Sequence, residues 1–569
     1  MADEVMTSGV PESASASSED VAPNSLKAAF ERGDFVVTCE MIPGRGARTD
    51  TQAKLIAQSE ELFATGRVHA ISITDNPGGN PALSSDAFAA ELLSRGITPL
   101  VHMSCKDRNR NMLTSALYVM ERNGIENVLA MTGDYPTSGW AGVARPVFDL
   151  DPVQLLQMMR DMNAGLRVAD AGEAVPSDDA KSEPPTHFFA GACVSPFKYN
   201  EGELIPQYFK LNKKIHAGAQ FVISQVGYDA RKMQELIWYM QDMGFGDVPA
   251  IANIYILPAG AARYMNGGGV PGVVVTDELL ATLVQERDSS DDKGKAARLL
   301  RAAKMVAIAR GMGYRGVHIG GTGVNAETVC KILDAADILQ DQWQALAGDL
   351  NFGRSGGFYY YELDPQTGLN LQNADGAHVV AARPEQHYER SVQKNYGLSR
   401  IAHKFMFTPG QGIFPAFHGV MNHFEKKWDG KLGEGKGKYR PHGFEHVNKT
   451  ILYSCQDCGD CGLYAVGYVC PMTQCPKCQR NGPCGGSDDG WCEVYPGVRR
   501  CIYYRAYYRL KKYGDQESLG DWSICPNNWA NFETSPWENY HHGRDNLARR
   551  ERITPWRDGE HREPPFEEW

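Results

Sequence analysis

Five short apolar runs in the first half of the chain end in residues that can hold or move a proton. VVTC leads into Glu40, and a second run closes on Thr74-Asp75-Asn76. His102 and Cys105 stand at the end of a third, Asp134 follows NVLAMTG, and Gln225 ends a run reading FVISQ. Singly, each fits a satisfied core polar group or a turn residue, with Asp134 as the cap of its own turn. Together they set two carboxylates, an imidazole and an amide at the ends of successive strands. Such a set suits proton transfer and recognition of a polar heterocycle.

A second chemistry is concentrated near the other end. Ten of the fourteen cysteines fall between Cys455 and Cys525. Cys455-x2-Cys458-x2-Cys461-x8-Cys470-Pro471 is followed by Cys475-x2-Cys478-x5-Cys484 and by Cys492, with Cys501 and Cys525 beyond. Crowding of this kind in a long intracellular chain points to a metal or cluster site rather than a disulfide framework. Three close thiolates with a remote Cys-Pro suit an iron–sulfur cluster, while paired Cys-x2-Cys units suit tetrahedral zinc. Cys455, Cys458, Cys461, Cys470, Cys475, Cys478, Cys484 and Cys492 are the candidate ligands, and ten cysteines allow either metal, or one of each.

The elements that must position the first set are legible as alternation. Eight strand candidates, Phe35–Met41, His69–Thr74, Pro99–Ser104, Asn127–Met131, Phe188–Val194, Gln220–Gln225, Ala250–Leu257 and Gly316–Ile319, are separated by amphipathic segments. Thr51–Thr65, Ser85–Arg95, Arg110–Asn123 and Ala296–Met312 are examples of those segments. Eight βα units are what a (β/α)8 TIM barrel requires, and its C-terminal rim is where such polar strand ends gather. A doubly wound open sheet has the same periodicity. The Gly-Gly pair in His318-Ile319-Gly320-Gly321 fits a phosphate cradle at a helix N-terminus or a plain turn.

At 569 residues the chain is too long for one ordinary core. The expected division is a leader over 1–28, a barrel over 29–345, an irregular connector packed on the barrel over 346–450, and a cysteine-rich domain over 451–569. The leader is acidic and Ser/Ala-rich, without the basic start and apolar centre of a secretory signal, so it is expected to be disordered and the protein cytoplasmic. A formal net charge of −11 argues against a general nucleic-acid binder. No apolar run approaches a membrane span.

The ordered set TCEMIPGRGAR, SITDN, PLVHMSC, NVLAMTGDYP, LNKKIHAGAQFVISQ and YILPAG resembles the methylenetetrahydrofolate reductase family over roughly residues 30–325. The resemblance implies a flavin-dependent (β/α)8 barrel that interconverts 5,10-methylene- and 5-methyltetrahydrofolate in one-carbon metabolism. It implies Glu40 as the general acid on the folate nitrogen, Asp134 as the residue that tunes the flavin and contacts the pterin, and Gln225 as a folate contact. Thr74, His102 and Lys214 match flavin-binding positions of the family, and Phe148 is the nearest match to an aromatic beside the flavin. The departures are Thr132, where the family commonly has Arg before the Gly-Asp turn, and Gln207, where it usually has Asp. FAD and FMN therefore both remain open as the flavin, with NAD(P)H as the assumed electron donor.

The segment CPMTQCPKCQRNGPCGGSDDGWCEVYPGVRRCIYY is similar to the methylenetetrahydrofolate reductase C-terminal domain, with Asn481–Gly486 and Gly490–Val494 the specific part. That resemblance implies electron supply or complex assembly. Its expected partners are a tetrahydrofolate substrate, a redox partner protein and a second copy of the chain, with neither nucleic acid nor membrane. The implied chemistry needs a protonated Glu40 near neutral pH, which burial would favour, and a charged Asp134. Two other readings fit the same residues: a pterin-binding methyltransferase barrel serving a cobalamin partner, and a cysteine-rich scaffold subunit of a redox complex.

Overall fold

A computed structural model describes residues 24–168, 180–383, 395–407, 442–521 and 523–541, with 412–413, 415–416, 419–420 and 545 beside them. Most of the expected leader, the Asp-rich excursion near 170–179, much of the Gly/Lys-rich loop and the last residues lie outside that set.

Eight parallel strands close on themselves in chain order. They are β1 Val36–Met41, β2 Ala70–Ile73, β3 Pro99–Ser104, β4 Asn127–Met131, β5 Phe189–Val194, β6 Phe221–Ser224, β7 Ala250–Ile256 and β8 Gly316–Gly321. The last pairs with the first, Val36 opposite Gly316 and Cys39 opposite Ile319, so the sheet is a barrel and not an open one. Every strand falls within two residues of its expected bounds, because buried parallel strands read as continuous apolar runs. Helix α1 Ser25–Arg32 lies at one end of the barrel, and the other helices surround it: α2 Asp50–Ala64, α3 Ser85–Ser94, α4 Arg110–Arg122, α5 Pro152–Asn163, α6 Glu201–His216, α7 Ala230–Asp242, α8 Ala259–Asn266, α9 Asp277–Asp288, α10 Lys295–Gly311, α11 Ala326–Leu339 and α12 Trp343–Asp349.

Two apolar shells follow from the alternation of strand side chains. Outward residues pack against the helices in one continuous core. Inward residues at the N-terminal end, among them Val36, Leu100, Leu129, Phe189, Phe221 and Ile251, meet Leu26, Ala29 and Phe30 of α1, which stoppers the barrel floor. Above that floor the interior turns polar, with Thr38 bonded to His318 and Ser72 to His102. Residues 350–383 form the irregular connector and lie along α7. Trp238 stacks on His378 at 4.0 Å, and Tyr361 and Tyr360 bond Asp242 and Glu235.

The cysteine-rich domain is not a tethered appendage. Its own core of tyrosines, on the helix Ile502–Lys511, takes in Ile205 of α6. Around that contact lies a seam of buried charge. Lys210 Nζ donates to Gln479 Oε1 (2.8 Å), Gly482 O (3.1 Å) and Pro483 O (3.2 Å). Lys198 Nζ reaches Gly485 O and Ser487 O, and Lys213 Nζ reaches Leu519 O. Glu201 accepts from Tyr507 and Lys511. Asp151 caps α5 with Oδ1 and, through Oδ2, accepts from Arg480 N, Asn481 N and Asn481 Nδ2. Gly482, at φ +140°, lies so close that a Cβ there would stand 2.6 Å from Lys210 Cβ. No helix among the described residues is long and apolar enough to cross a membrane.

The seam predicts a large effect from one methylene-conserving change. Lys210→Met leaves three buried acceptors without their common donor, and should cost about 3 kcal/mol of stability. Urea denaturation of the full chain measures it, and a loss near zero would mean that the seam is not held by Lys210.

Candidate active site

Glu40 is the penultimate residue of β1 and points into the barrel mouth. Its neighbour on β8 is Gly320, where a Cβ would stand 2.9 Å from Glu40 Oε2, so glycine there makes room for the carboxyl. The Gly-Gly pair, which fits a phosphate cradle or a plain turn in sequence, therefore borders an acid. Burial pushes the Glu40 carboxyl up from 4.5 to about 7. The Tyr255 phenol, beside it on β7, is raised by its own burial and by the Glu40 charge. Sequence reading did not single out Tyr255, since a tyrosine within an apolar strand looks like core.

Thr74 follows β2 directly and is buried, and its hydroxyl has no hydrogen-bond partner. Two more buried polar atoms without partners belong to this end of the barrel, Ser195 Oγ after β5 and Gln207 Nε2 on α6. Both residues border Gly485 of the cysteine-rich domain, Ser195 Cβ at 3.5 Å and Gln207 Nε2 at 3.8 Å from where its Cβ would lie. Native interiors leave few such atoms unpaired, and a polar ligand is one explanation for a cluster of them.

Asp134 comes off β4 through Gly133, whose φ of +84° and 2.8 Å clearance to Ser104 Cβ exclude a side chain. Asp134 Oδ2 accepts from Gly78 N at 2.7 Å, which ties this turn to the loop after β2. Phe148 is buried and stacks on Tyr135 at 6.5 Å. Gln225 turns Oε1 back to Val226 N (2.9 Å), while its Nε2 faces Gly272, the residue that packs on Gly485 O.

Two of the expected ligand-binding residues lie deeper. His102 is inside the barrel, bonded to Ser72 Oγ at 2.6 Å, with its ring 6.2 Å from that of His318. Burial first, then His318, lowers His102 to about 3, and burial lowers His318 to about 4, so both rings are neutral. Lys214 Nζ donates to Cys193 O at 2.5 Å, and burial with the nearby Lys210 charge lowers it to about 8. Glu40, Thr74, Asp134 and Gln225 are thus gathered at the rim, and His102 and Lys214 support it from within.

No disulfide joins any of the fourteen cysteines among the described residues. Among the described residues no group of three or more His, Cys, Asp or Glu side chains closes to single-ion geometry. Four thiols nevertheless face one cavity of about 400 Å³, solvent mouth included: Cys475, Cys484, Cys492 and Cys501. Burial pushes Cys484 up to about 11 and Cys501 up to about 12. Cys455, Cys458, Cys461 and Cys470 make a separate neighbourhood, each of the first three feeling Cys470. The set that lines the cavity takes in Cys501, which sequence spacing left out. Cys478 lies instead beside Cys470.

A family model described as methylenetetrahydrofolate reductase matches residues 25–336, more than half of the chain. The chain belongs to the methylenetetrahydrofolate reductase family. A second model, methylene-tetrahydrofolate reductase C terminal, matches residues 438–530. Methylenetetrahydrofolate reductase 2 of Saccharomyces cerevisiae is 26% identical over 217 residues, which are 37% of this chain and 32% of that one. The chain thus spans about a third of that curated relative's length. Among solved structures, an uncharacterized protein from Clostridium thermocellum that binds two copies of 5-methyl-5,6,7,8-tetrahydrofolic acid covers 56% of this chain and 99% of its own, at 13% identity and a TM-score of 0.37. Yersinia pestis DHPS with a pterine-sulfa conjugate covers 54% and 94%, at 9% and 0.30. At those scores neither likeness bears on the function of this reductase-family chain.

The raised Glu40 carboxyl has a measurable consequence. The folded state holds this proton more tightly than the unfolded state, so Glu40 costs nothing below its unfolded value of 4.5. Its cost grows as pH rises from there to about 7 and is constant above. Glu40→Gln should therefore be more stable than the parent at pH 8 than at pH 4.5, by roughly 1–3 kcal/mol. Denaturant melts at the two pH values test this, and an equal difference at both would place the proton elsewhere.

Proposed function

We propose that the chain is a flavin-dependent reductase that interconverts 5,10-methylenetetrahydrofolate and 5-methyltetrahydrofolate. The observation that carries the reading is a carboxylic acid, Glu40, half-buried at the rim of a family-matched barrel and raised to about 7 by loss of hydration. An acid with that affinity holds its proton near neutral pH and can still release it, which is what opening a methylene bridge at a ring nitrogen demands.

The chain's own residues divide the work. Glu40 delivers a proton to the leaving nitrogen, and the Gly320 gap keeps its carboxyl free to turn toward the mouth. The Asp134 carboxylate, held by Gly78 N, faces positive charge that develops on the substrate. Gln225 offers an amide to the pterin edge. A bound flavin, FAD or FMN, would supply the hydride; Thr74 Oγ1, Ser195 Oγ and Gln207 Nε2 are unpaired donors that fit its polar parts. NAD(P)H or a partner protein supplies its electrons. Lys214 and neutral His102 keep the surrounding wall rigid.

The C-terminal cysteines fit an iron–sulfur cluster or zinc, with Cys475, Cys484, Cys492 and Cys501 as one ligand set. Loss of hydration raises all four thiols, so a metal among them would favour their ionised form, and all four line one cavity. Cys455, Cys458, Cys461 and Cys470 are candidates for a second site. The protein acts in the cytoplasm as a homo-oligomer.

Glu40→Gln should lower folate turnover about 100-fold or more while flavin content and flavin reduction persist. Stopped-flow absorbance with 5-methyltetrahydrofolate separates the two, and retained turnover would remove Glu40 from the mechanism. For the metal, Cys501→Ser should reduce iron or zinc per chain in anaerobically purified protein, whereas Cys330→Ser, on α11, should not. Elemental analysis with an ultraviolet–visible spectrum decides it, and equal metal content in both variants would take Cys501 out of the ligand set.

A further inference from the structure

Lys477 belongs to the cysteine-rich domain, yet its ammonium ends on the barrel rim. Nζ donates to Gly133 O at 2.7 Å and pairs with Glu493 of its own domain. The two side chains are only 4% and 8% exposed. The residue after Gly133 is Asp134, whose charge acts on Lys477. Two positions on, Gln479 Oε1 accepts from the Thr132 hydroxyl at 3.2 Å and from Lys210 at 2.8 Å. The turn Thr132-Gly133-Asp134 is therefore gripped at all three residues: by Gln479, by Lys477 and by Gly78 N.

Burying an ammonium is expensive unless it is paired, and Glu493 already pairs this one. The bond to Gly133 is not needed for neutralisation. What it adds is direction, since it points a second ammonium donor at the backbone just before the carboxylate. Glycine at 133 makes the turn locally pliable, so its conformation must be set from outside. Among the described residues, the barrel's own hydrogen bond to the Asp134 carboxylate is the one from Gly78 N.

We propose that Lys477 is a positioning residue of the rim site: it fixes the turn that presents Asp134 and sets a fixed positive charge beside it. The rim is then complete only with the cysteine-rich domain docked. This rests on the folate reading of the rim for its kinetic consequences, but not for the structural one.

The test uses full-length protein and compares the parent with Lys477→Met, Lys477→Arg, Asp134→Asn and the Asp134→Asn/Lys477→Met double variant. Lys477→Met should lower kcat/KM for 5-methyltetrahydrofolate oxidation about tenfold, and Lys477→Arg should recover most of it. The double variant should be no worse than Asp134→Asn by more than about twofold, because the lysine acts through the turn. Amides of 131–135 should exchange with deuterium faster in Lys477→Met. Parent-like kinetics and exchange in Lys477→Met, or losses that multiply in the double variant, would overturn the proposal. If the parent itself turns over no folate, the functional reading fails while the exchange comparison still decides the positioning role. Should Lys477→Met not fold, Lys477→Gln replaces it, keeping a donor for Gly133 without the charge.

Discussion

Asp151 cannot be satisfied by the barrel alone. One of its carboxylate oxygens caps α5, and the other accepts three hydrogen bonds, all from Arg480 and Asn481. Lys210, on α6, has the reverse need, with its donors spent on three acceptors of the same incoming loop. A buried charge without its partner costs several kcal/mol, far more than an exposed pair contributes. The loop Gln479–Ser487 is consequently as much a part of the barrel wall as the helices are. Everything at the rim that involves the second domain, from Thr132 to Ser195, depends on this exchange of buried charge.

The interior of the barrel shows how a single architecture sorts polarity by depth. The floor is apolar and stoppered by α1, the middle carries hydroxyl–imidazole pairs, and the mouth carries carboxyls. Neutral histidines satisfy threonine and serine hydroxyls without bringing charge into a closed space. Glu40 meets no such partner. Desolvation is its only resolved perturbation, which is why its affinity for a proton rises so far. Lys214 of α6 is the contrast: burial, with the Lys210 charge, lowers it to about 8, but the Cys193 carbonyl accepts a hydrogen bond from its Nζ.

Most of the barrel was legible from sequence, and the seam was not. Strands buried on both faces announce themselves as apolar runs, and the polar residues at their ends mark the C-terminal rim, where the structure places Glu40, Thr74, Asp134 and Gln225. His102 looked like a rim residue because it is near the end of its strand, but two residues, Met103 and Ser104, follow it in β3, and its ring bonds Ser72 inside the barrel. The docking residues carried no comparable signal. Lys198, Lys210 and Lys477 are ordinary lysines in sequence, and Lys210 meets Gln479 across 269 residues of chain. α6 offered a hint: it is buried on nearly every side, lysines and Glu201 included, and a helix with so little free face must have two neighbours. In the cysteine block, spacing favoured Cys478 over Cys501, but Cys478 adopts φ +44° and turns toward Met472 O and Cys470.

The same loop brings two chemistries within one wall. On its barrel side Lys477 touches Gly133, next to Asp134. On its other side Glu493 joins Lys477 to the Cys484 thiol, which lies 3.5 Å from the carboxylate and lines the four-cysteine cavity. A carboxylate held between a fixed ammonium and a thiol cannot change one contact without changing the other, because a close-packed interior transmits rather than absorbs displacement. Joining the barrel and the cysteine block in one chain keeps both faces of that wall at a fixed stoichiometry. The buried charges on α5 and α6 then fix their geometry. A flexible linker between two finished domains would secure the first of these and not the second.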